Sequence, residues 1–251
     1  AKRLIAAGMK GCCIKNHYFE TATRAKLLQE QFPQLRVFGG VTLNRSVGGI
    51  NPDVVERIAQ AGGQIVWFPT MDARAYKKLT NKNSEVDFSI YLTVAEDGKL
   101  KKEVIEVLEV AAAHHMIVGT GHLGTEEGML LVRTGIQLGC KILLTHANSP
   151  LTHYSIDQQR EAVHLGALVE YSLFPIYHKG VSVALCAEQI RTIGCENVIL
   201  STDFGQINSP YADEGIEIFA KALLKEGITE EELHMMLCKG PDLLWDFCQG
   251  K

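Results

Sequence analysis

No apolar run in this sequence is long enough to cross a bilayer. The longest, Met129–Val132 and Ile142–Leu144, are a small fraction of the ~20 residues a spanning helix needs, so no membrane partner is expected. No secretory leader pattern is discernible at the start. The seven cysteines stand at 12, 13, 140, 186, 195, 238 and 248 and include no C-x-x-C pair. That odd, scattered set argues against a disulfide or structural zinc framework and predicts reduced thiols in the cytoplasm. Cationic excess is also missing: 25 Lys+Arg face 29 Asp+Glu, a formal net charge of -4, so no nucleic-acid partner is expected. No low-complexity tract and no Pro/Ser-rich linker divides the chain. What remains is ordinary globular composition, 46% hydrophobic and 22% charged. At 251 residues the chain is about the size of one α/β barrel, and residues 1–251 are expected to form a single domain.

What is present is a repeat of short apolar strands and helical segments, the pattern of parallel strands joined by crossover helices. Strands are predicted over Gly11–His17, Arg36–Asn44, Gly63–Thr70, Met116–His122, Lys141–His146, Leu168–Phe174 and Asn197–Asp203. Their ends fall 27, 26, 52, 24, 28 and 29 residues apart, so one interval is double the others. Helix punctuation supports the series. Asn51-Pro52 reads as an N-cap with proline in the first turn, and Ser155-x-x-Gln158 and Thr229-x-x-Glu232 read as capping boxes. Gly8, Gly62, Gly139, Gly166 and Gly194 stand where left-handed helix ends are wanted.

Two features qualify the count. The doubled interval contains Val86–Val94 followed by Ala-Glu-Asp97-Gly98 and Lys99, read as a β-hairpin insertion near 86–100 with Asp97-Gly98 in the turn. The alternative, an eighth barrel strand there, suits its alternating polarity less well. The opening segment, Ala1 to Gly8, reads as a helix without an N-cap residue or initiator Met, which implies a first barrel strand upstream of this sequence. The expected fold is therefore an α/β (β/α)8 TIM barrel whose first strand is absent from this chain. The strand edge left bare leaves room for a homo-oligomer.

Ionisable residues collect at the strand ends, which in an α/β barrel line the active-site mouth. These are Lys15, His17, His122, His146 and Asp203. Alternation places Asp203 on one face with Ser201 and Ile199, His146 with Leu144 and Ile142, and His122 with Thr120 and Val118. If those faces point inward, two imidazoles and a carboxylate converge, a donor set suited to zinc or a similar divalent ion. Such an ion would bring its water towards a pKa of ~7. Each residue also has a plainer reading: Asp203 as an N-cap, His17 and Lys15 as polar rim or anion clamp, a lone histidine as a structural hydrogen-bonding residue. His114 and His115 are expected at a helix C-terminus, His164 and His234 in mid-helix, and His153 and His178 in mouth loops. Gly119-Thr-Gly121-His-Leu-Gly124 matches the dinucleotide fingerprint, but no acid ends the next strand, so that reading is a poor second.

Thr-Gly-His122, Leu-Thr-His146-Ala and Ser-Thr-Asp203-Phe, in that order and spacing, resemble the strand-end motifs of the amidohydrolase superfamily, across nearly the whole chain. Gly8-Met-Lys-Gly-Cys-Cys-Ile-Lys15-Asn-His17-Tyr and Ser201-Thr-Asp203-Phe-Gly-Gln are similar to a cytosolic branch of that superfamily with no assigned reaction. The resemblance implies a metal-dependent hydrolase acting on a small molecule, with His122, His146 and Asp203 as metal ligands. It also implies that Asp203 takes a proton from the hydrolytic water. The family's His-x-His pair has no match and would lie upstream of Ala1. Trp67-Phe-Pro-Thr70-Met-Asp72 stands where many binuclear members carry a bridging lysine or glutamate, so a single zinc, manganese or iron ion is expected. Catalytic roles are expected for Asp203, Lys15 and His17. A decarboxylase or lyase, a phosphoesterase, and an inactive ligand-binding barrel are the alternatives.

Overall fold

The computed structural model describes residues 1–83, 85–152 and 154–251. Among the described residues ten strands run in chain order: β1 (Gly11–Cys13), β2 (Arg36–Phe38), β3 (Gly40–Thr42), β4 (Ile65–Trp67), β5 (Ala95–Glu96), β6 (Lys99–Leu100), β7 (Ile117–Gly119), β8 (Lys141–Leu144), β9 (Leu168–Ser172) and β10 (Val198–Ser201). The helices are α1 (Lys2–Ala6), α2 (Ala22–Gln31), α3 (Pro52–Gln60), α4 (Arg74–Thr80), α5 (Lys102–Ala113), α6 (Thr125–Gln137), α7 (Ile156–Leu165), α8 (Leu173–Lys179), α9 (Val183–Ile193), α10 (Ala212–Lys225), α11 (Glu230–His234) and α12 (Gly240–Cys248). Each of the seven predicted strands is present, trimmed at its ends.

β3, β4, β7, β8, β9 and β10 pair in that order, all parallel, and β1 pairs in parallel with β2. β2 and β3 are one run interrupted at Gly39. A Cβ on Gly40 would stand 1.7 Å from the carbonyl oxygen of Ile65, so only glycine permits that approach. The result is a (β/α) barrel of seven parallel strand positions wrapped by helices. Among the described residues β1 and β10 do not pair with each other.

Both faces of the strands are apolar, as a doubly covered parallel sheet requires. Val66, Val118, Ile142, Leu144, Val169, Tyr171 and Leu200 pack outward against the helices. Ile65, Trp67, Ile117, Leu143 and Ile199 face inward and meet Leu244 of α12, with Phe247 and Cys248 packed beside it. Cys248 reaches the carbonyl of Gln64, and His115 touches Phe247, so α12 fills the N-terminal end of the interior. Burying a side chain such as Tyr171 or Phe68 completely stabilises the fold by roughly 1.5–3 kcal/mol.

Most of the punctuation forms as read, although Gly194 ends α9 at φ 86° and ψ 130°, outside the left-handed helical region. Asn51 caps α3 through Asp53 N–H, both capping boxes are closed, and Gly166 ends α7 in the left-handed conformation at φ 107°. The insertion is corrected in detail. Asp97-Gly98 does turn a hairpin, with both φ values positive, but its rungs are only β5 and β6. Val86–Val94 is not a strand; Phe88–Ile90 forms a 3-10 turn, and Leu92 bridges to Ala73. Glu127 accepts from the N–H groups of Val94 and Ala95, tying the hairpin to α6.

Candidate active site

The inward faces of β9 and β10 change character along the barrel axis. Leu168 and Ile199 are apolar at the bottom, Glu170 and Ser201 follow, and Ser172 and Asp203 lie at the C-terminal end. That end collects Lys15, His17, His122, His146 and Asp203.

The route by which two of them arrive differs from simple alternation. Ile142, Leu144 and Val118 face the helices, whereas Leu143 and Ile117 face the interior. The expected inward faces of β7 and β8 are thus reversed. His122 and His146 reach the mouth because each strand has already ended and the chain turns. Gly121 takes φ 63° and donates to Thr145 Oγ1, after which His122 N–H binds the carbonyl of Pro69. His146 takes φ 33°; its N–H donates to Glu170 Oε2 at 3.0 Å, and its carbonyl accepts from Ser149 N–H at 2.8 Å. Asp203, on the expected face, also takes positive φ, 52°. A non-glycine residue in this region costs on the order of 1 kcal/mol and persists only where its surroundings fix it. Two of the four such residues among those described are His146 and Asp203.

The side chains form one cluster. The rings of His122 and His146 lie 4.8 Å apart, and that of His17 lies 5.8 Å from His122. Lys15 Nζ stands 3.6 Å from Asp203 Oδ1, an ion pair joining the first strand to the last, and 5.7 Å above the Trp67 ring. Tyr76 packs on His122 at 4.8 Å. His17 Nδ1 is 2.8 Å from Thr70 Oγ1.

Electrostatics keep the imidazoles uncharged. Burial, then the nearby Lys15 ammonium, lowers His146 to about 4 and His17 to about 4. His122 is driven well below its ordinary value by burial and by its histidine and lysine neighbours. Burial pushes the Asp203 carboxyl up, but Lys15 and the adjoining imidazoles outweigh it and hold the group below its usual value. Burial raises Glu170, with Lys15 opposing.

The chemistry of these donors suits a divalent cation. His122 Nδ1 and His146 Nδ1 are buried with no hydrogen-bond partner among the described residues, an expensive arrangement for neutral polar atoms unless something else engages them. Among the described residues, however, no three His, Cys, Asp or Glu side chains already surround one point closely enough to hold an ion.

Several plainer readings are resolved. The Asp203 carboxylate faces Lys15 instead of capping a helix. Gly119 and Gly121 are packing glycines: added Cβ atoms would lie 2.4 Å from Trp67 Cδ1 and 2.2 Å from the carbonyl oxygen of Phe68. His114 follows α5 and pairs with Glu56 at 2.9 Å. His178 belongs to α8, not to a loop, and meets Ser209 Oγ at 2.8 Å. His153 lies outside the described residues.

Three contributors escaped the sequence reading: Glu170, Asn44 and Thr70. Glu170 is the one charged residue in Leu168–Ser172, and Asn44 and Thr70 end predicted strands. Asn44 and Thr70 therefore carried the same positional signal as the histidines, and Glu170 the signal of a lone charge inside an apolar strand.

A family model described as a family of unknown function, DUF6282, matches residues 1–170, about two thirds of the chain. The chain belongs to this family. No curated protein matches it. Among solved structures, it is similar to an amidohydrolase from Pseudomonas aeruginosa, with TM-score 0.62 at 14% identity, covering 100% of this chain and 82% of that one. A phosphotriesterase homology protein from Escherichia coli, complexed with phosphate in its active site, matches with TM-score 0.59 at 14% identity over 96% and 86%. YJJV, a TatD homologue from Escherichia coli K12, matches with TM-score 0.57 at 14% identity over 97% and 89%. At such identities the likeness is one of fold, and the fold is the TIM barrel.

Proposed function

We propose that this barrel is a metal-dependent hydrolase acting on a small molecule, with its site at the mouth bounded by Lys15, His17, His122, His146 and Asp203. One observation carries the reading: the paired, buried, uncharged imidazoles of His122 and His146, each with an Nδ1 that has no partner among the described residues, beside an ionised carboxylate. His122, His146 and Asp203 would hold the ion, zinc in the first place and manganese or iron otherwise. When bound, such an ion supplies Lewis-acid charge and lowers the pKa of its water towards ~7.

The chain's own residues account for the rest. Asp203, kept ionised by Lys15, accepts the proton of the attacking water. Lys15 and His17 orient a carbonyl, phosphoryl or anionic group of the substrate. The segment 205–211 and the insertion at 86–100 shape access. Likeness in fold to an amidohydrolase and to a phosphate-bound phosphotriesterase homology protein supports hydrolysis at a carbonyl or phosphoryl centre. Seven unpaired cysteines suit the reducing cytoplasm.

The test is elemental analysis of gently purified protein, then zinc titration calorimetry and a screen of esters, lactones, amides and phosphate esters. Near-stoichiometric metal, removed by chelator together with turnover, is expected. Protein that neither carries nor binds a divalent ion would sink the reading, and carbon dioxide release without hydrolysis would move it to a decarboxylase.

A further inference from the structure

Behind His17 lies a hydrogen-bonded chain that decides which of its ring nitrogens carries the proton. Asn44 is fully buried. Its Oδ1 accepts from Thr70 N–H at 2.9 Å and from Asp72 N–H at 3.1 Å, which fixes the orientation of the amide. Its Nδ2 therefore donates, to the His17 carbonyl at 2.8 Å and to Thr70 Oγ1 at 2.8 Å.

Thr70 Oγ1 has thus accepted one hydrogen bond and still has its own proton to place. Its other partner among the described residues is His17 Nδ1, 2.8 Å away. Were Nδ1 protonated, the hydroxyl would accept twice and its proton would be stranded at a position where Thr70 is fully buried. A buried donor with no acceptor costs roughly 1–3 kcal/mol. With Nδ1 unprotonated, the hydroxyl donates to it and every group in the chain is satisfied.

We infer that Asn44 and Thr70 fix neutral His17 as its Nε2–H tautomer, so that His17 meets the substrate as a hydrogen-bond donor and not as a base or metal ligand. The donor role rests on the hydrolase reading; the tautomer does not. In that reaction a donor at this place engages the carbonyl or phosphoryl oxygen on which negative charge builds. Asn44 and Thr70 are positioning residues: they touch His17, not the substrate.

The assignment is tested by two-bond proton–nitrogen correlation NMR on chelator-treated protein labelled at the histidine nitrogens. At about pH 8 even an ordinary imidazole is uncharged. His17 is expected to show a protonated Nε2 and an unprotonated Nδ1. Asn44→Asp replaces the amide donor by an acceptor, so the Thr70 hydroxyl turns towards the new carboxylate and His17 switches to Nδ1–H. Thr70→Val, which keeps the shape and removes the hydroxyl, is expected to yield a mixture of tautomers and serves if the aspartate variant does not fold. An Nδ1–H form in the unaltered protein would overturn the inference, as would an Nε2–H form that neither substitution disturbs. In turnover, Asn44→Asp is expected to lower kcat about 100-fold with little change in KM. A tautomer that switches with no loss of turnover would overturn the donor role while the hydrogen-bond assignment stood.

Discussion

Lys15 and Asp203 occupy opposite ends of the chain and meet 3.6 Å apart, each only partly exposed. The charge of Asp203 depends on its neighbour. Removing the ammonium in Lys15→Met leaves burial acting on the carboxyl with its main opponent gone, so the pKa of Asp203 rises. The acidic limb of the kcat/KM profile is expected to move to higher pH in that variant, and an unmoved limb would take Asp203 out of the acid-limb role. Asp203→Asn keeps the shape and removes the proton acceptor. Hydrolysis is expected to fall by about 100-fold or more with little change in melting temperature, in line with the usual contribution of a general base. Retained activity would remove Asp203 from the mechanism.

At the scale of elements, the strand-to-loop turns deliver the site. β7 and β8 end before their histidines, and the direction of each imidazole is set by a residue with positive φ. Gly121 is the tightest of these, with a carbonyl oxygen 2.2 Å from where its Cβ would stand. Gly121→Ala is expected to destabilise the protein by ~2 kcal/mol or more, read from the urea midpoint, because strained φ and overpacking act together. A loss below ~0.5 kcal/mol would mean that the loop has slack. The punctuation of these elements was legible in advance: the capping boxes at Ser155 and Thr229, the proline-started α3 and the Asp97-Gly98 turn rest on local chemistry. The inward face of β7 and β8 was not, because alternation holds only while a strand lasts. One residue of left-handed backbone after the last rung redirects every side chain that follows.

For the whole molecule, three uncharged histidines make stability depend on pH. In the unfolded chain they titrate near ~6.5, whereas His17 and His146 fall to about 4 in the native state and His122 lower still. As pH drops from about 6.5 towards 4, the unfolded state takes up protons that the native state refuses, so stability falls across that window. For buried His146 alone the shift corresponds to about 3 kcal/mol by pH 4. Chelator-treated protein is expected to show a urea midpoint clearly lower at pH 5 than at pH 7.5, and His122→Gln/His146→Gln to flatten the difference. Equal slopes in the two proteins would show that other groups govern acid lability.

The strand–helix alternation, the caps and the order of polar residues are legible in the sequence, because each depends on neighbours within a turn or two. The sequence also marked Lys15, His17, His122, His146 and Asp203 as strand-end residues, and the same position marked Asn44 and Thr70 unread. Folding brings these ends to one mouth. It placed Lys15 against a carboxylate 188 residues away and set Glu170 beneath the backbone of His146. It also aligned Asn44, Thr70 and His17 into one proton-ordering chain. Contacts between distant segments, and the charge states they impose in a buried site, arise from barrel closure, which no local stretch of sequence encodes.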